Sequence, residues 1–270
     1  MKQVVLITGA TTGIGKETAI YLAKSGYIVY GAGRRENKLQ ELAQLNVNPV
    51  KMDVTDDASM VSGVQNIIQN EGRIDILINN AGFGSYGAVE DVTVNDARYQ
   101  LEVNVFGAAR LIQLVLPYMR HQHFGKIVNI TSIGGKMATP FGGWYHASKF
   151  ALEGLSDSLR NEVRGFGVDV IVIEPGGVES EWAGIANENL MKNSAQTAYK
   201  ELATKVTKGL RGTVTKNAKA IVIAKLIHKA ITASKPKARY AAGYMAVPVL
   251  TAKKLLSDRM FDKVLMSQLR

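Results

Sequence analysis

A tyrosine and a lysine stand four residues apart in the stretch WYHASKF, at Tyr145 and Lys149. Residues at this spacing project from one face of an α-helix, which would bring the phenol and the ammonium side by side. A free tyrosine has a pKa of about 10 and exchanges protons poorly at neutral pH, whereas a neighbouring cation stabilises the phenolate and lowers that pKa. The pair is therefore a candidate acid–base couple that exchanges a proton with a substrate oxygen.

A glycine-rich turn follows the apolar run near the N-terminus, in the stretch TGATTGIG. Its glycines are Gly9, Gly13 and Gly15. A strand that turns sharply into a helix with its free N–H groups facing a pyrophosphate needs residues without a Cβ at the points of close approach. Placed between an apolar run and a helical pattern, the turn predicts a dinucleotide-binding site, with a purely structural glycine turn as the alternative.

The second apolar run ends in Gly33, Arg34 and Arg35. Dinucleotide folds that select NAD carry an acid here to bind the ribose 2′-hydroxyl, whereas arginines offer forked donors to a 2′-phosphate. The sequence therefore favours NADP(H) over NAD, with an exposed basic turn as the alternative. After the third run, Asp53 either accepts a hydrogen bond from the adenine amino group or caps the next helix.

The elements that must position these residues can be read from the apolar pattern. Continuous rather than alternating apolar runs indicate strands buried on both faces, as in a parallel sheet covered by helices. Segments with helical spacing separate the runs, and several of them end in glycine. This pattern predicts an α/β fold, namely a doubly wound Rossmann fold forming a single domain over residues 1–270, with helices on both faces of a parallel sheet. The runs span 4–10, 28–33, 48–54, 74–82, 125–132 and 168–176.

Six motifs in consistent order make the sequence resemble the short-chain dehydrogenase/reductase family over about residues 3–182. They are TGxxxGIG at the first turn, NNAG at 79–82, Asn104 in LEVNVFG, Ser132 after the fifth run, YxxxK at 145–149 and PGG at 175–177. The resemblance implies an oxidoreductase that uses a nicotinamide cofactor to interconvert a carbonyl and a secondary alcohol, and Arg34 and Arg35 favour NADP(H) as that cofactor.

The resemblance also implies a role for each matching residue. Tyr145 is the acid–base group, Lys149 supports it and holds the nicotinamide ribose, and Ser132 hydrogen-bonds the substrate oxygen. Asn104 holds a water that relays protons to Lys149, with a buried amide at a helix kink as the alternative.

The family usually has threonine where this chain has Ser180, which keeps the hydroxyl and lacks the methyl group. The implied cofactor-binding residues are Gly9, Thr11, Thr12, Gly13, Ile14, Gly15, Arg34, Arg35, Asp53, Val54, Asn80, Ala81, Gly82, Tyr145, Lys149, Pro175, Gly176, Val178 and Ser180, with Asn79 also expected along the adenosine side.

Two C-terminal segments break the strand–helix pattern. Residues 178–215 are polar and weakly periodic, and we expect an irregular substrate lid there. Residues 245–270 form an amphipathic extension that we expect to pack on the body, with a second subunit or a membrane surface as alternatives.

A pocket built from the lid and nearby aromatic residues predicts an apolar or ring-bearing substrate. Its expected lining is Ser85, Tyr86, Phe141, Trp144, Trp182 and residues 183–213.

Composition and charge limit the functional classes. The chain lacks cysteine, and His121 and His123 are too close in sequence to share a helix face, so no metal site is expected. Residues 191–270 carry a net charge of +14 within a total of +10, but without the interleaved aromatic residues that nucleic-acid stacking needs. The absence of a signal-like or membrane-spanning run predicts a soluble cytoplasmic protein.

Three further expectations concern partners and rival functions. Apolar residues on more than one face of 97–120 and 145–165 predict a homodimer or homotetramer. A 3-oxoacyl carrier-protein reductase is the alternative enzyme, because the basic C-terminal third could meet an acidic carrier protein. The alternative outside enzymes is a non-catalytic NADP-sensing regulator, although sensors of that kind usually lose the tyrosine or the lysine.

Overall fold

The computed structural model describes residues 2–267, except for the side chains of 210–214. Seven strands and eleven α-helices follow one another along this part of the chain. The strands are β1 Val4–Thr8, β2 Ile28–Gly33, β3 Asn48–Lys51, β4 Ile76–Asn79, β5 Gly125–Ile130, β6 Val168–Pro175 and β7 Arg239–Ala242. The helices are α1 Gly13–Lys24, α2 Glu36–Ala43, α3 Asp57–Glu71, α4 Val94–Leu101, α5 Gly107–His121, α6 Gly143–Glu162, α7 Trp182–Ser194, α8 Lys200–Thr213, α9 Ala220–Thr232, α10 Ala246–Leu255 and α11 Asp258–Ser267.

The strands form one parallel sheet in the order β3-β2-β1-β4-β5-β6-β7. The order reverses between β1 and β4, so the loops leaving these strands diverge and open a crevice at their carboxyl ends. Every residue of β1, β4 and β5 is buried, as continuous apolar runs require. The predicted doubly wound Rossmann fold is confirmed.

Alternate residues of the central strands supply two separate apolar layers. Leu6 and Leu77 pack on one face with residues from α3 and α5. Ile7 and Ile78 pack on the other face with residues from α1 and α9. Side chains of successive strand residues point to opposite faces, so each strand contributes to both layers and the helices cover both sides.

The structure differs from the sequence-based expectations after β6. Residues 178–215 were expected to be irregular, but they contain α7 and α8, whose buried residues include Ala186 and Leu190 of α7. The seventh strand was not predicted, because its sequence RYAA is half-buried and has no apolar run. Within the described residues, no helix has the length and apolar character needed to cross a bilayer.

Ion pairs fasten β7 to α6. The Arg239 guanidinium donates to Glu153 at 3.0 Å and to Asp157 at 2.7 Å, and it lies 3.6 Å from Glu174. The Glu153 side chain is only 4 % exposed and also pairs with Lys136 at 2.7 Å. Burial and the nearby Glu153 charge raise the pKa of Glu174. Arg239 therefore offsets acidic charge inside the molecule at the edge of the sheet.

Replacing Arg239 with alanine should lower the free energy of unfolding by about 2–3 kcal/mol, because buried carboxylates lose a cationic partner. We place the loss below the range for a fully buried pair because Arg239 is partly exposed and Lys136 still contacts Glu153. Urea unfolding followed by circular dichroism measures this change. Lys235→Ala, at an exposed position four residues earlier, is the control; equal stabilities of the two variants would contradict the assignment.

Candidate active site

The turn from β1 into α1 is held against the end of β4. Gly9 has a positive φ of 63°, and a Cβ there would lie 2.9 Å from the Cα of Ala81. A Cβ on Gly15 would overlap the carbonyl oxygen of Gly9 and the amide of Asn80. The two backbones therefore meet only because these residues are glycine, and the unpaired N–H groups of the first turn of α1 lie beside the crevice.

Polar contacts fix the carboxyl end of β4. The Thr8 hydroxyl accepts hydrogen bonds from the backbone N–H groups of Asn80 and Ala81, each at 3.0 Å. The Asn80 amide donates to the carbonyl oxygens of Thr8 and Gly9 at 3.0 and 3.2 Å. Asn79 was expected along an adenosine site, but it is buried and donates to Asn129 at 2.9 Å. Asn79 therefore joins β4 to β5, and Asn80 shapes the glycine turn.

A cavity of about 660 Å³ opens at the carboxyl ends of the central strands. It brings together residues from the glycine turn, the end of β4, α6 and the loop after β6. The predicted residues that line it are Gly9, Thr11, Thr12, Gly13, Ile14, Asn80, Ala81, Gly82, Ser132, Tyr145, Lys149, Pro175, Gly176, Val178 and Ser180. Gly15, Arg34, Arg35, Asp53, Val54 and Asn104 lie outside its lining.

The two arginines after β2 lie near the glycine turn. Arg34 donates to the Tyr99 hydroxyl at 3.0 Å and lies 3.6 Å from Asp53. Arg35 lies 3.4 Å from the hydroxyl of Thr11, which lines the cavity, and 3.2 Å from Glu181. Both guanidinium groups are partly exposed, so an anion at this end of the cavity would have to compete with Asp53 and Glu181 for these two cations.

Asp53 does not cap the following helix, so that alternative is wrong. The cap of α3 is Asp56, whose carboxylate accepts from the N–H of Ser59. Asp53 instead accepts from the backbone and the hydroxyl of Thr55 at 3.0 and 2.9 Å. Burial opposes ionisation of Asp53, but the bonds from Thr55 and the charge of Arg34 outweigh it and lower the pKa of this carboxyl.

Tyr145 lies on the cavity wall among apolar rings. Its ring centroid is 5.1 Å from that of Trp182 and 5.9 Å from that of Tyr86. Burial raises the pKa of Tyr145 to about 12, and a hydrogen bond with Ser132 opposes this shift. The Ser132 hydroxyl also accepts from the N–H of Gly134 at 3.0 Å. The phenol is therefore protonated at neutral pH.

Lys149 lies one helical turn after Tyr145 and is buried. Its ammonium donates to the carbonyl oxygen of Ile130 at 3.0 Å and lies 5.9 Å from the centroid of the Tyr145 ring. Burial lowers the pKa of Lys149 to about 8, although the charge of Glu153 opposes the shift. The expected lowering of the Tyr145 pKa is therefore wrong for this arrangement, because the loss of solvent around the neutral phenol raises that pKa instead.

Asn104 lies in a π-helical turn, Glu102–Phe106, between α4 and α5. Its amide nitrogen donates to the carbonyl oxygen of Phe83 at 3.0 Å and to Ser148 at 2.9 Å, and its oxygen accepts from the N–H of Phe83. A Cβ on Gly82 would lie 3.1 Å from the Asn104 oxygen and 3.5 Å from the Lys149 nitrogen. The two side chains thus meet beside Gly82, and the water-relay role of Asn104 stays a prediction.

The substrate side of the cavity is more apolar than its glycine side. Tyr86 and Trp182 line it as expected, together with Ala183, Ile185, Val206 and Gly209 from α7 and α8. Ser85, Phe141 and Trp144 were expected in the lining and lie outside it. Phe141 packs against Tyr199 of the lid, with ring centroids 6.2 Å apart. Of the five residues named for the lining, two therefore line the cavity and three do not.

Sequence reasoning missed several lining residues, among them His146 and Leu265. His146 accepts from the N–H of Thr139 at 3.0 Å, which leaves its proton on Nδ1 to bond the carbonyl oxygen of Gly134 at 2.9 Å. Burial lowers the pKa of His146, so the neutral ring fixes the loop before α6. Leu265 lies on α11 and lines the cavity. The sequence pattern that could have identified it is the apolar pair Phe261 and Leu265, which are four residues apart and share one face of the helix.

A family model described as short chain dehydrogenase matches residues 3–190. The chain is 42% identical over 197 residues to 3-ketodihydrosphingosine reductase from Bacteroides thetaiotaomicron, covering 72% of this chain and 70% of that protein. It is 35% identical over 259 residues to the probable short-chain type dehydrogenase/reductase VdlC from Helicobacter pylori, covering 96% and 95% of the two chains.

Solved structures with the same fold include proteins bound to both kinds of nicotinamide cofactor. A short-chain dehydrogenase from Streptomyces avermitilis matches with a TM-score of 0.82 and 31% identity, covering 97% of this chain and 94% of that one. A Burkholderia phymatum short-chain dehydrogenase/reductase in complex with NAD gives 0.82 and 25%, covering 98% and 95%. A variant of actinorhodin polyketide ketoreductase with NADPH gives 0.76 and 27%, covering 89% and 94%. The glycine cradle and the open first turn of α1 fit such a dinucleotide.

Proposed function

This chain belongs to the short-chain dehydrogenase/reductase family of oxidoreductases, and from that membership we propose that it uses NADP(H) to interconvert a carbonyl and a secondary alcohol on an apolar or ring-bearing substrate. The observation that carries the proposal is the position of Tyr145, Ser132 and Lys149 on the wall of the cavity that also contains the glycine turn. A cofactor held by the turn and a substrate touching Tyr145 would share one enclosed space.

Tyr145 of α6 and Ser132 of the loop after β5 supply the proton chemistry. When bound, the nicotinamide supplies or accepts the hydride. The neutral Tyr145 hydroxyl donates its proton to the oxygen of a carbonyl as negative charge develops there, and the Ser132 hydroxyl holds that oxygen. A phenol with a pKa of about 12 is fully protonated at neutral pH, which favours the direction of carbonyl reduction. In the reverse direction the Tyr145 phenolate accepts the proton of the alcohol hydroxyl, which restores the phenol.

Lys149 provides the positive charge of the site. Its ammonium is anchored on the Ile130 carbonyl oxygen and retains donors for the ribose of a bound cofactor. It also lies near enough to Tyr145 to stabilise a phenolate once the proton has left. Asn104, whose amide oxygen lies on the same side of Gly82 as the Lys149 nitrogen, would hold the relay water.

The preference for NADP(H) is supported by the two cations beside the glycine turn. Arg34 and Arg35 are consecutive residues near the glycine turn, and the residue before them is Gly33 rather than an acid. Asp53 and Glu181 partly neutralise the arginines in the described arrangement. A 2′-phosphate would replace these surface pairs, which individually contribute little stability.

The substrate class is supported by the apolar lining from Tyr86, Trp182 and Ile185. One relative of the chain is named 3-ketodihydrosphingosine reductase, and this name is consistent with the proposed reduction of a ketone. The 3-oxoacyl carrier-protein reductase stays the alternative enzyme. The exposed lysines Lys205 and Lys208 lie on α8 of the lid, where they could contact an acidic carrier protein that delivers its substrate to the cavity. A non-catalytic sensor is disfavoured because Tyr145 and Lys149 are both present and both line the cavity.

We also propose a cytoplasmic homodimer or homotetramer that pairs through the helices around 97–120 and 145–165. Large apolar side chains on this region are exposed in the single chain, including Tyr99, Phe106, Tyr118 and Phe150. Burying such side chains in a symmetric interface would remove them from water.

Tyr145→Phe should bind NADPH with unchanged affinity and lose at least about a thousandfold in kcat/KM, because the ring remains and the proton donor is removed. Fluorescence titration measures the binding, and NADPH oxidation with a panel of carbonyl compounds measures the turnover. Tyr118→Phe, which alters a hydroxyl outside the cavity, is the control. Activity of Tyr145→Phe close to that of the parent would refute the catalytic role.

The pH dependence should follow Lys149. Below its pKa of about 8 the ammonium is charged and supports the reaction, and above that pH the neutral amine does not. We therefore expect kcat/KM for reduction to decline by about tenfold per pH unit on the alkaline side. In Lys149→Arg, whose guanidinium stays charged to above about pH 12, the residual activity should lack this decline. The same alkaline limb in both proteins would show that another group titrates.

Removing the two arginines should change cofactor preference. Arg34→Ala with Arg35→Ala should raise the Kd for NADPH by about 10- to 100-fold and leave the Kd for NADH nearly unchanged, because a charge-assisted bond to phosphate contributes about 1.5–3 kcal/mol. Isothermal titration with both cofactors measures this difference. Lys24→Ala removes an exposed cation at the end of α1 and serves as the control. Parallel losses for the two cofactors would mean that the arginines do not read the 2′-phosphate.

A further inference from the structure

The two C-terminal helices carry more exposed than fully buried apolar side chains. Ala246 and Phe261 are buried and Leu265 is partly buried against the body, whereas Leu255 is 76% exposed. We call the exposed set the C-terminal surface. It consists of Val247, Leu255, Met260, Val264 and Met266. Exposed apolar side chains grouped on two consecutive helices are characteristic of a contact surface.

Cations accompany this surface. Lys254, Arg259 and Lys263 are exposed on α10 and α11, and none of them pairs with a carboxylate within 4.0 Å in the part of the chain that the structure describes. The acid Asp258 pairs instead with Lys253. An apolar helix face flanked by available lysine and arginine side chains is the pattern of helices that lie in the interface of a membrane.

The C-terminal surface adjoins the substrate side of the cavity. Leu265 of α11 lines the same cavity as Ile185 of the lid, which is itself partly exposed. Val264, the next residue on α11, is exposed on the C-terminal surface. A single helix thus presents one side chain to the cavity and its neighbour to the surroundings.

We propose that the C-terminal surface docks on a bilayer containing anionic lipid, with α10 and α11 lying in the plane of the interface. Apolar side chains would enter the acyl region while Lys254, Arg259 and Lys263 contact lipid phosphates. A second copy of the chain fits less well, because a two-fold contact would bring the same unpaired cations of both copies together. Resting on the proposed function, we further infer that an apolar substrate reaches the cavity from the bilayer past Leu265.

Co-sedimentation of the full chain with vesicles tests the docking. Vesicles of phosphatidylcholine alone are compared with vesicles of phosphatidylcholine and phosphatidylglycerol in equal parts. The parent chain should bind the anionic vesicles, and the variant with Leu255→Ser, Met260→Ser and Val264→Ser should bind them at least about tenfold more weakly. Reversing three charges, with Lys254→Glu, Arg259→Glu and Lys263→Glu, should weaken binding by about a hundredfold.

A matched control places three serines at exposed valines elsewhere, with Val89→Ser, Val94→Ser and Val222→Ser. This control should bind the anionic vesicles like the parent chain. Failure of the parent to sediment with them, or equal binding by the two serine variants, would overturn the proposal. A smaller assembly for the Leu255, Met260 and Val264 variant in gel filtration, with unchanged vesicle binding, would assign the surface to a second copy and overturn it too.

Two activity measurements separate this inference from the proposed function. Tyr145→Phe should sediment with vesicles like the parent, so vesicle binding does not depend on turnover. The Leu255, Met260 and Val264 variant should reduce a water-soluble ketone at the parental rate and reduce a vesicle-dissolved ketone at least about tenfold more slowly. Equal rates on the vesicle-dissolved ketone would overturn entry from the bilayer. Inactivity of the parent on every ketone would instead count against the proposed function.

Discussion

A single buried charge fixes the geometry of this site. The Lys149 ammonium lies inside the molecule, 3.0 Å from the Ile130 carbonyl oxygen at the end of β5. Removing an ammonium from water costs several kcal/mol, so the surrounding groups must hold it firmly for the fold to tolerate it. That contact fixes α6, which carries Tyr145, against the end of β5, two residues before Ser132, so that Tyr145 and Ser132 are held relative to each other.

The glycine turn imposes a second constraint from the opposite wall of the cavity. Because Gly9 and Gly15 allow β1, α1 and the end of β4 to touch, the first turn of α1 opens beside the same cavity that Tyr145 lines. Thr8 and Asn80 satisfy the backbone groups that this close approach would otherwise leave unpaired. The reversal of strand order between β1 and β4 is thus the feature that brings the glycine turn together with Tyr145 and Lys149, the proposed acid–base pair.

The parts of this architecture that could be predicted from sequence are those set by local pattern. Six strands appear as continuous apolar runs, and the glycine turn and the YxxxK motif specify their own conformations. The half-buried β7 lacks such a pattern, because its order comes from long-range contacts such as those of Arg239. In the lid, α8 buries Ala203, Val206 and Thr207 at helical spacing, a pattern that the expectation of an irregular segment missed because the surrounding sequence is polar. The sequence left a helix cap open as one of two roles for Asp53, because Asp53 and Asp56 both precede α3 and only the backbone shows that Asp56 is the cap.

The sign of the Tyr145 pKa shift shows what a spacing rule omits. Helical spacing places an ammonium near the phenol, but it says nothing about the Trp182 and Tyr86 rings that exclude water from it. In the proposed reaction this works in favour of catalysis. Burial keeps the phenol neutral before transfer, and the attraction of Lys149 acts only on the phenolate that transfer creates. Because the ammonium stabilises the charge-separated state and not the resting one, its effect falls on the barrier rather than on substrate binding.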